Sequence, residues 1–210
     1  MENETFDKGR VNGFSDAVFS IAMTLLVLEV VIPSYNELKT RDTLVILQYR
    51  IPSFIGLIIS FFVTVLYWIS HMRIMKYVST INSKLLWYNI LLLFFIVLLP
   101  FSTAFYVKGF DAVGPFVFYC FNLSAIGFFN YLMNVYVIKK EKGETGITTT
   151  LGKYFKLRAF NAFIVWALAG VLAFVFPFSA RFLFILLFIF EFILKKYYKR
   201  KLQKEATIEQ

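Results

Sequence analysis

Apolar residues in this chain come in long unbroken runs separated by short polar stretches. Six runs stand out, over residues 11–33, 47–71, 85–107, 112–138, 157–177 and 179–198. Crossing the hydrocarbon layer takes ~20 largely apolar residues in a helix. Lipid offers no partners to backbone N–H and C=O groups, so such runs pair them internally as helices. The pattern predicts an all-α integral membrane bundle of six transmembrane helices. Turn residues fall between the runs. Pro33 closes the first, and Lys108-Gly109-Phe110-Asp111 separates the third from the fourth. A polar, glycine-containing connection is expected over Lys139 to Lys156, and a tight turn at Pro177. Pro100, inside the third run, predicts a kink, because proline removes one helical hydrogen bond.

Composition supports a membrane solvent. Hydrophobic residues make up 59% of the 210, charged residues 17%, and phenylalanine alone appears 27 times. A soluble fold of this size keeps too much surface in water to hide that load. The connections are short and no internal repeat is visible, so a single unit over residues 1–210 is expected, with a polar tail from about 199. The opening residues lack a convincing cleavage signal, so the first run is expected to stay in the mature protein. Cys120, the single cysteine, lies inside an apolar run and is expected to pack there.

Charge then orients the bundle. Most of the 22 basic residues cluster at alternate connections. One set comprises Lys8 and Arg10, then Arg73, Lys76 and Lys84, then Lys139, Lys140, Lys142, Lys153, Lys156 and Arg158, then Lys195, Lys196, Lys199, Arg200, Lys201 and Lys204. The other side holds only Lys39, Arg41, Arg50, Lys108 and Arg181. The positive-inside rule places both termini in the cytoplasm, in agreement with an even number of spans. The net charge of +9 is thereby assigned to topology and to membrane lipids with anionic headgroups, and no nucleic-acid partner is expected.

Polar groups inside a span are costly and call for a reason. The first span opens Arg10-Val11-Asn12-Gly13-Phe14-Ser15-Asp16. Asp16 lies one to two turns inside and needs a partner. At the same depth the second span offers Trp68 and His71, three residues apart and on one face, and the third offers Trp87 and Asn89. Arg10, Ser15, Asp16, His71, Trp87 and Asn89 are expected to form one hydrogen-bonded layer. Interfacial aromatics and snorkelling charges explain Trp87 and Arg10 equally well. Further along, Ser20, Thr24 and Leu28 share a stripe that Ile21 joins. Hydroxyls between apolar residues suit a narrow pore. Helix packing uses the same residues, and spacing alone favours packing. Glu29 is read either as drawing cations to the outer mouth or as a headgroup residue, and Glu191 as paired or snorkelled. No nucleophile–base pair, metal-ligand spacing or second carboxylate accompanies these groups, so neither an enzyme nor a cofactor is expected.

The string Arg10-x-x-x-Phe14-Ser15-Asp16, followed by Ala17-Val18-Phe19-Ser20-Ile21-Ala22-Met23-Thr24-Leu25, resembles the opening of the transmembrane protein 175 family of potassium channels. Trp68 and His71 late in the second span and Trp87-x-Asn89 opening the third resemble it too. The resemblance implies a potassium-selective channel with potassium as the permeant ion, without a carbonyl filter loop, and with the first helix lining the pore. It implies the prokaryotic form, a homotetramer in the cell (plasma) membrane. Ile21 matches an apolar constriction, Thr24 a hydroxyl layer and Leu28 a further apolar ring. Arg10, Phe14, Ser15, Asp16, Trp68, His71, Trp87 and Asn89 match an inter-helix network that holds the pore helix. The competing expectation is a proton-coupled secondary transporter or proton leak using Asp16 and His71. Against it, no inverted repeat or broken mid-membrane helix is seen in the sequence.

Overall fold

Asp7 starts the first long helix: its carboxylate accepts the Arg10 backbone N–H at 2.7 Å, an N-cap that satisfies one of the donors a helix start leaves free. In this computed structural model, which describes residues 4–30, 32–141 and 145–208, the chain is almost wholly helical. A two-residue strand β1 (Thr5–Phe6) precedes α1 (Lys8–Leu25), which tightens into a 3₁₀ turn over Leu26–Glu29. Then follow α2 (Tyr35–Thr40), α3 (Thr43–Lys76), β2 (Ile81–Asn82), α4 (Ser83–Val97), α5 (Leu99–Lys108), α6 (Val113–Lys140), α7 (Thr149–Leu172), α8 (Pro177–Ala180) and α9 (Phe184–Ile208). Val31 in the first run, Lys142 in the basic connection and the last two residues of the tail lie outside the described residues.

Among the described residues, five helical stretches are long and apolar enough to cross a membrane: Lys8–Leu28, Thr43–Lys76, Ser83–Lys108, Val113–Lys140 and Thr149–Leu172. The sixth expected run, 179–198, is divided instead. Its start belongs to α8, a turn covers Arg181 to Leu183, and α9 has about three apolar turns, Phe184 to Leu194, before Lys195, Lys196, Lys199, Arg200 and Lys201. Pro177 opens α8 and does not make a simple two-helix turn. At the other end of the same hairpin, α7 begins eight residues before the expected 157. The Thr148 hydroxyl caps it by accepting the Leu151 N–H at 3.2 Å, and the polar Lys153 and Lys156 become part of a helix. Pro100 sits just past a break: α4 ends at Val97 and α5 starts at Leu99, with the proline in the first turn, where its missing N–H costs nothing.

The interior lies between α1, α3, α4, α6 and α7, around Phe19, Val63, Tyr67, Leu92, Ile96, Leu123, Ile126 and Trp166. The tightest approach joins α6 to α7. A methyl group on Gly127 would sit 2.8 Å from the Phe163 Cα, so only glycine lets these backbones meet. Cys120 is buried and free, packed where the sequence places it. Ser60, Thr103 and Tyr119 join α3, α5 and α6 through hydroxyl–hydroxyl bonds of 2.9 and 3.0 Å. Such bonds fix helix registers where apolar packing alone is slippery.

One end of the bundle is latched around the α3–α4 connection. β1 pairs antiparallel with β2, Thr5 opposite Asn82 and Phe6 opposite Ile81. The Lys8 ammonium donates to the Val78 carbonyl at 2.7 Å, near the end of α3. From the end of α6, Lys140 donates to the Thr80 carbonyl at 3.0 Å, and the Glu141 carboxylate accepts the Ser79 N–H at 3.1 Å. The N-terminal segment and the α3–α4 and α6–α7 connections, three of the basic-rich segments, therefore share one end. At the opposite end, Arg181 reaches the Phe110 carbonyl and lies 4.4 Å over its ring.

Candidate functional site

A helix turns about 100° per residue, so α1 presents two opposed faces. Ser15, Phe19, Ala22 and Leu26 form the buried face, with Phe19 and Leu26 fully enclosed. Opposite them, Arg10, Phe14, Ala17, Ile21, Thr24 and Leu28 fall on one exposed stripe. Phe14 is 62% exposed, Ile21 58% and Leu28 71%. Ser20 is exposed too, about 80° round from the centre of the stripe.

The buried face is tied down by polar groups. Asn89 on α4 donates its amide N–H to the Ser15 hydroxyl at 2.9 Å, and that hydroxyl donates to the Val11 carbonyl at 2.8 Å. On its other side, the Asn89 carbonyl oxygen lies 2.8 Å from His71 Nε2 on α3. An amide oxygen has no proton to give, so Nε2 carries the hydrogen and donates. The chain of bonds thus runs in one sense, from His71 to Asn89 to Ser15 to the α1 backbone. All three side chains are buried, and the Phe19 ring lies 5.7 Å from the imidazole. Beside this line, Asp16 accepts the Trp68 indole N–H at 2.8 Å. Helix α1 is therefore held to α3 by Asp16–Trp68 and to α4 by Ser15–Asn89, with His71 bracing Asn89.

The expected single layer is thus two separate arms. Asp16 and His71 do not bond to each other; each has its own neutral partner, which leaves no direct carboxylate–imidazole link of the kind a proton relay needs. Arg10 and Trp87 do not join the layer within one chain. The Arg10 side chain is exposed on the same stripe as Ile21, and Arg10 contributes only its backbone N–H to the Asp7 cap. Trp87 is 60% exposed and lines a cleft with Phe6 and Ile90. The reason for Arg10 and Phe14 is helical phase: they point roughly 100–180° away from Ser15 and Phe19 on the helix, so they face away from α3 and α4.

On the stripe and beside it the hydroxyls are pre-engaged. Ser20 donates to the Asp16 carbonyl at 2.8 Å and Thr24 to the Ile21 carbonyl at 2.8 Å. With each proton committed to the backbone, the oxygen lone pairs are what the stripe can offer, which suits a cation. Ile21 stands between these hydroxyls. The Glu29 side chain, read as either an outer-mouth or a headgroup residue, lies outside the described set. Among the described residues no group of three metal-ligating side chains converges.

Glu191 is paired, one of the two readings its sequence position allowed, but its partner and one further contact were invisible in the sequence. Glu191 bonds Arg158 at 2.7 Å, both largely buried; Arg158 therefore belongs to the bundle interior and not to the free basic connection. Lys8, counted only as a charge, is the α3 latch described above. No spacing rule signals either, because each partner lies more than thirty residues away.

Comparison with known proteins bears on the family and the fold. Residues 10–100 match the family model described as the endosomal/lysosomal potassium channel TMEM175. A potassium channel of Chryseobacterium sp. (strain P1-3) is 30% identical over 175 residues, 82% of this chain and 86% of that protein. A potassium channel of Chamaesiphon minutus is 36% identical over 101 residues, 48% of this chain and 50% of that one. In fold, the chain is similar to the crystal structure of a lysosomal potassium-selective channel TMEM175 homolog from Chamaesiphon minutus, with a TM-score of 0.75 at 22% identity, covering 91% of this chain and 97% of that one. It is also similar to a single-residue variant of the potassium channel MtTMEM175 solved in complex with a nanobody fusion protein, with a TM-score of 0.61 at 19% identity and 93% coverage of each chain. With a buried first-helix face latched to the next two spans and a relative matched over most of both sequences, the chain belongs to the TMEM175 family of potassium channels, as a multi-pass membrane protein.

Proposed function

We propose that the protein is a potassium-selective channel whose ion path is lined by the exposed stripe of α1, contributed by four copies around an axis. The observation that carries this is the stripe itself. Ile21, Thr24 and Leu28 are turned away from the chain's own bundle, although the opposite face of the same helix is fully packed. A ring of four Ile21 side chains forms the constriction, Thr24 and Ser20 supply hydroxyl oxygens beside it, and Leu28 forms a second apolar ring. No carbonyl filter loop takes part. An apolar ring cannot coordinate an ion. It raises the cost of passage for the ion that holds water more tightly, so sodium is disfavoured relative to potassium. A tenfold preference requires only about 1.4 kcal/mol between the two ions.

The network residues Ser15, Asp16, Trp68, His71 and Asn89 hold α1 at its distance from the axis without touching the ion. Arg10 and Phe14, on the pore-side stripe, and Trp87 then serve contacts between copies. In this reading residues 1–210 form one six-span unit, with α9 and the turn before it as the sixth crossing. Both termini are cytoplasmic, the tail begins near 199, and the unit sits in the plasma membrane of a prokaryote. The latched end supports a common side for three of the basic-rich segments. Planar-bilayer recording of purified protein under a potassium–sodium gradient tests the reading. A passive current that reverses towards the potassium equilibrium potential is expected, and it should shift towards zero discrimination in Ile21→Asn. Saturating flux coupled to a proton gradient would replace the channel with a transporter.

A further inference from the structure

A second site lies outside the first helix. The ends of α3 and α9 and the first turns of α7 enclose a cleft of about 600 Å³, a volume typical of small-molecule sites. Arg73 and Lys76 enter it from α3, and Lys195 and Lys199 from α9. Each pair is three or four residues apart and shares a helix face. None of the four forms an ion pair among the described residues, and no described acid lines the cleft. Its floor is aromatic and mostly buried: Tyr154 and Tyr198 meet with ring centroids 5.5 Å apart. Four like charges held in one concavity repel each other until an anion fills it.

Depth indicates the source of that anion. Lys195 directly follows Phe184 to Leu194, a stretch apolar apart from the ion-paired Glu191, and Arg73 and Lys76 close the apolar α3. Tyrosines beside lysines at the end of a span mark the headgroup level. A phosphate at that depth accepts from the ammonium and guanidinium groups and from the tyrosine hydroxyls, while the aromatic floor faces the glycerol and upper acyl region. We propose that this cleft binds the phosphate-bearing headgroup of an anionic phospholipid and so clamps α9 against α3 and α7. Assigning it to the inner leaflet rests on the cytoplasmic placement of the termini; the binding itself does not.

Native mass spectrometry of the purified full chain in neutral detergent, titrated with phosphatidylglycerol or phosphatidylcholine, tests this without reference to current or orientation. The wild type should retain phosphatidylglycerol in preference to phosphatidylcholine. Lys195→Gln/Lys199→Gln should weaken phosphatidylglycerol binding about 25-fold, taking roughly fivefold for each charge, and Lys195→Arg/Lys199→Arg should keep it. An unchanged melting temperature of the glutamine variant in phosphatidylcholine shows that the loss is one of binding and not of folding. Equal retention of the two lipids by the wild type, or equal phosphatidylglycerol affinity in all three proteins, would overturn the proposal. Millimolar inorganic phosphate should leave the lipid in place; if it displaces phosphatidylglycerol completely, the occupant is soluble phosphate and the lipid assignment falls.

Discussion

The two faces of α1 carry the same kinds of residue and treat them in opposite ways. On the inner face, Ser15 is fully buried and accepts a hydrogen bond from another helix. On the outer face, Ser20 and Thr24 are exposed and bond only to their own backbone. Phe19 is fully buried, whereas Phe14, little more than a turn earlier, is 62% exposed. Residue type therefore does not distinguish anchor from candidate pore; phase around the helix does. Polar residues on the inner face contribute to stability, and those on the outer face are free to serve what passes by or packs later.

The largest break in this comparison is expected from Asn89→Leu. It leaves buried His71 without a partner and cuts the α1–α4 bond. An orphaned buried polar group costs about 2 kcal/mol, so chemical unfolding in detergent should show a loss of that order. Next, Ile21→Asn should remove most of the discrimination, about 1.4 kcal/mol for a tenfold preference, read as a reversal-potential shift, while leaving stability almost unchanged because the side chain is exposed. Unaltered permeability would take Ile21 out of the ion path. Asp16→Ala loses one indole bond and should cost about 1 kcal/mol, in line with membrane hydrogen bonds. It should change folding or open probability before selectivity; a stable, open variant without selectivity would put Asp16 in the path. Thr24→Val keeps the shape and removes the hydroxyl, and should alter conductance with only tenths of a kcal/mol in stability, since the lost bond is local.

The smallest effect lies outside both faces. Glu37 completes a capping box with Ser34 at the start of α2, and the backbone N–H of Ser34 holds its carboxyl below the usual carboxylate range, with Arg50 assisting. A depressed folded value means that its stabilisation is present above the ordinary carboxylate range and is lost as pH falls through the lowered value. Amide exchange in residues 34–40 should quicken only in acid, and Glu37→Gln should remove that pH dependence.

Long apolar runs made most helices legible, because in lipid the backbone has few other ways to pair. Run ends were less so. The start of α7 depended on the Thr148 cap within a stretch that is polar by composition. The α8–α9 break depended on a turn that no proline or glycine pattern in 179–198 predicted. In the site, depth matching named Asp16, Trp68, His71 and Asn89 as neighbours, but not their pairing, because depth is one coordinate and hydrogen bonding needs three. Arg10 and Trp87 match the layer in depth and miss it in angle.

By itself, then, the sequence determined a membrane-spanning helical protein with an unusual first helix, and through its opening string, the family. Hydropathy and charge are sums along the chain, and a bilayer reads such sums directly. Only the tertiary structure decided which side of α1 is anchored, that Asp16 and His71 belong to different arms, that Arg158 is spent on Glu191, and that four distant basic residues share one cleft. Those outcomes depend on how helices distant in sequence are rotated against one another, and that rotation is set by packing and by directional hydrogen bonds, which a linear pattern does not contain.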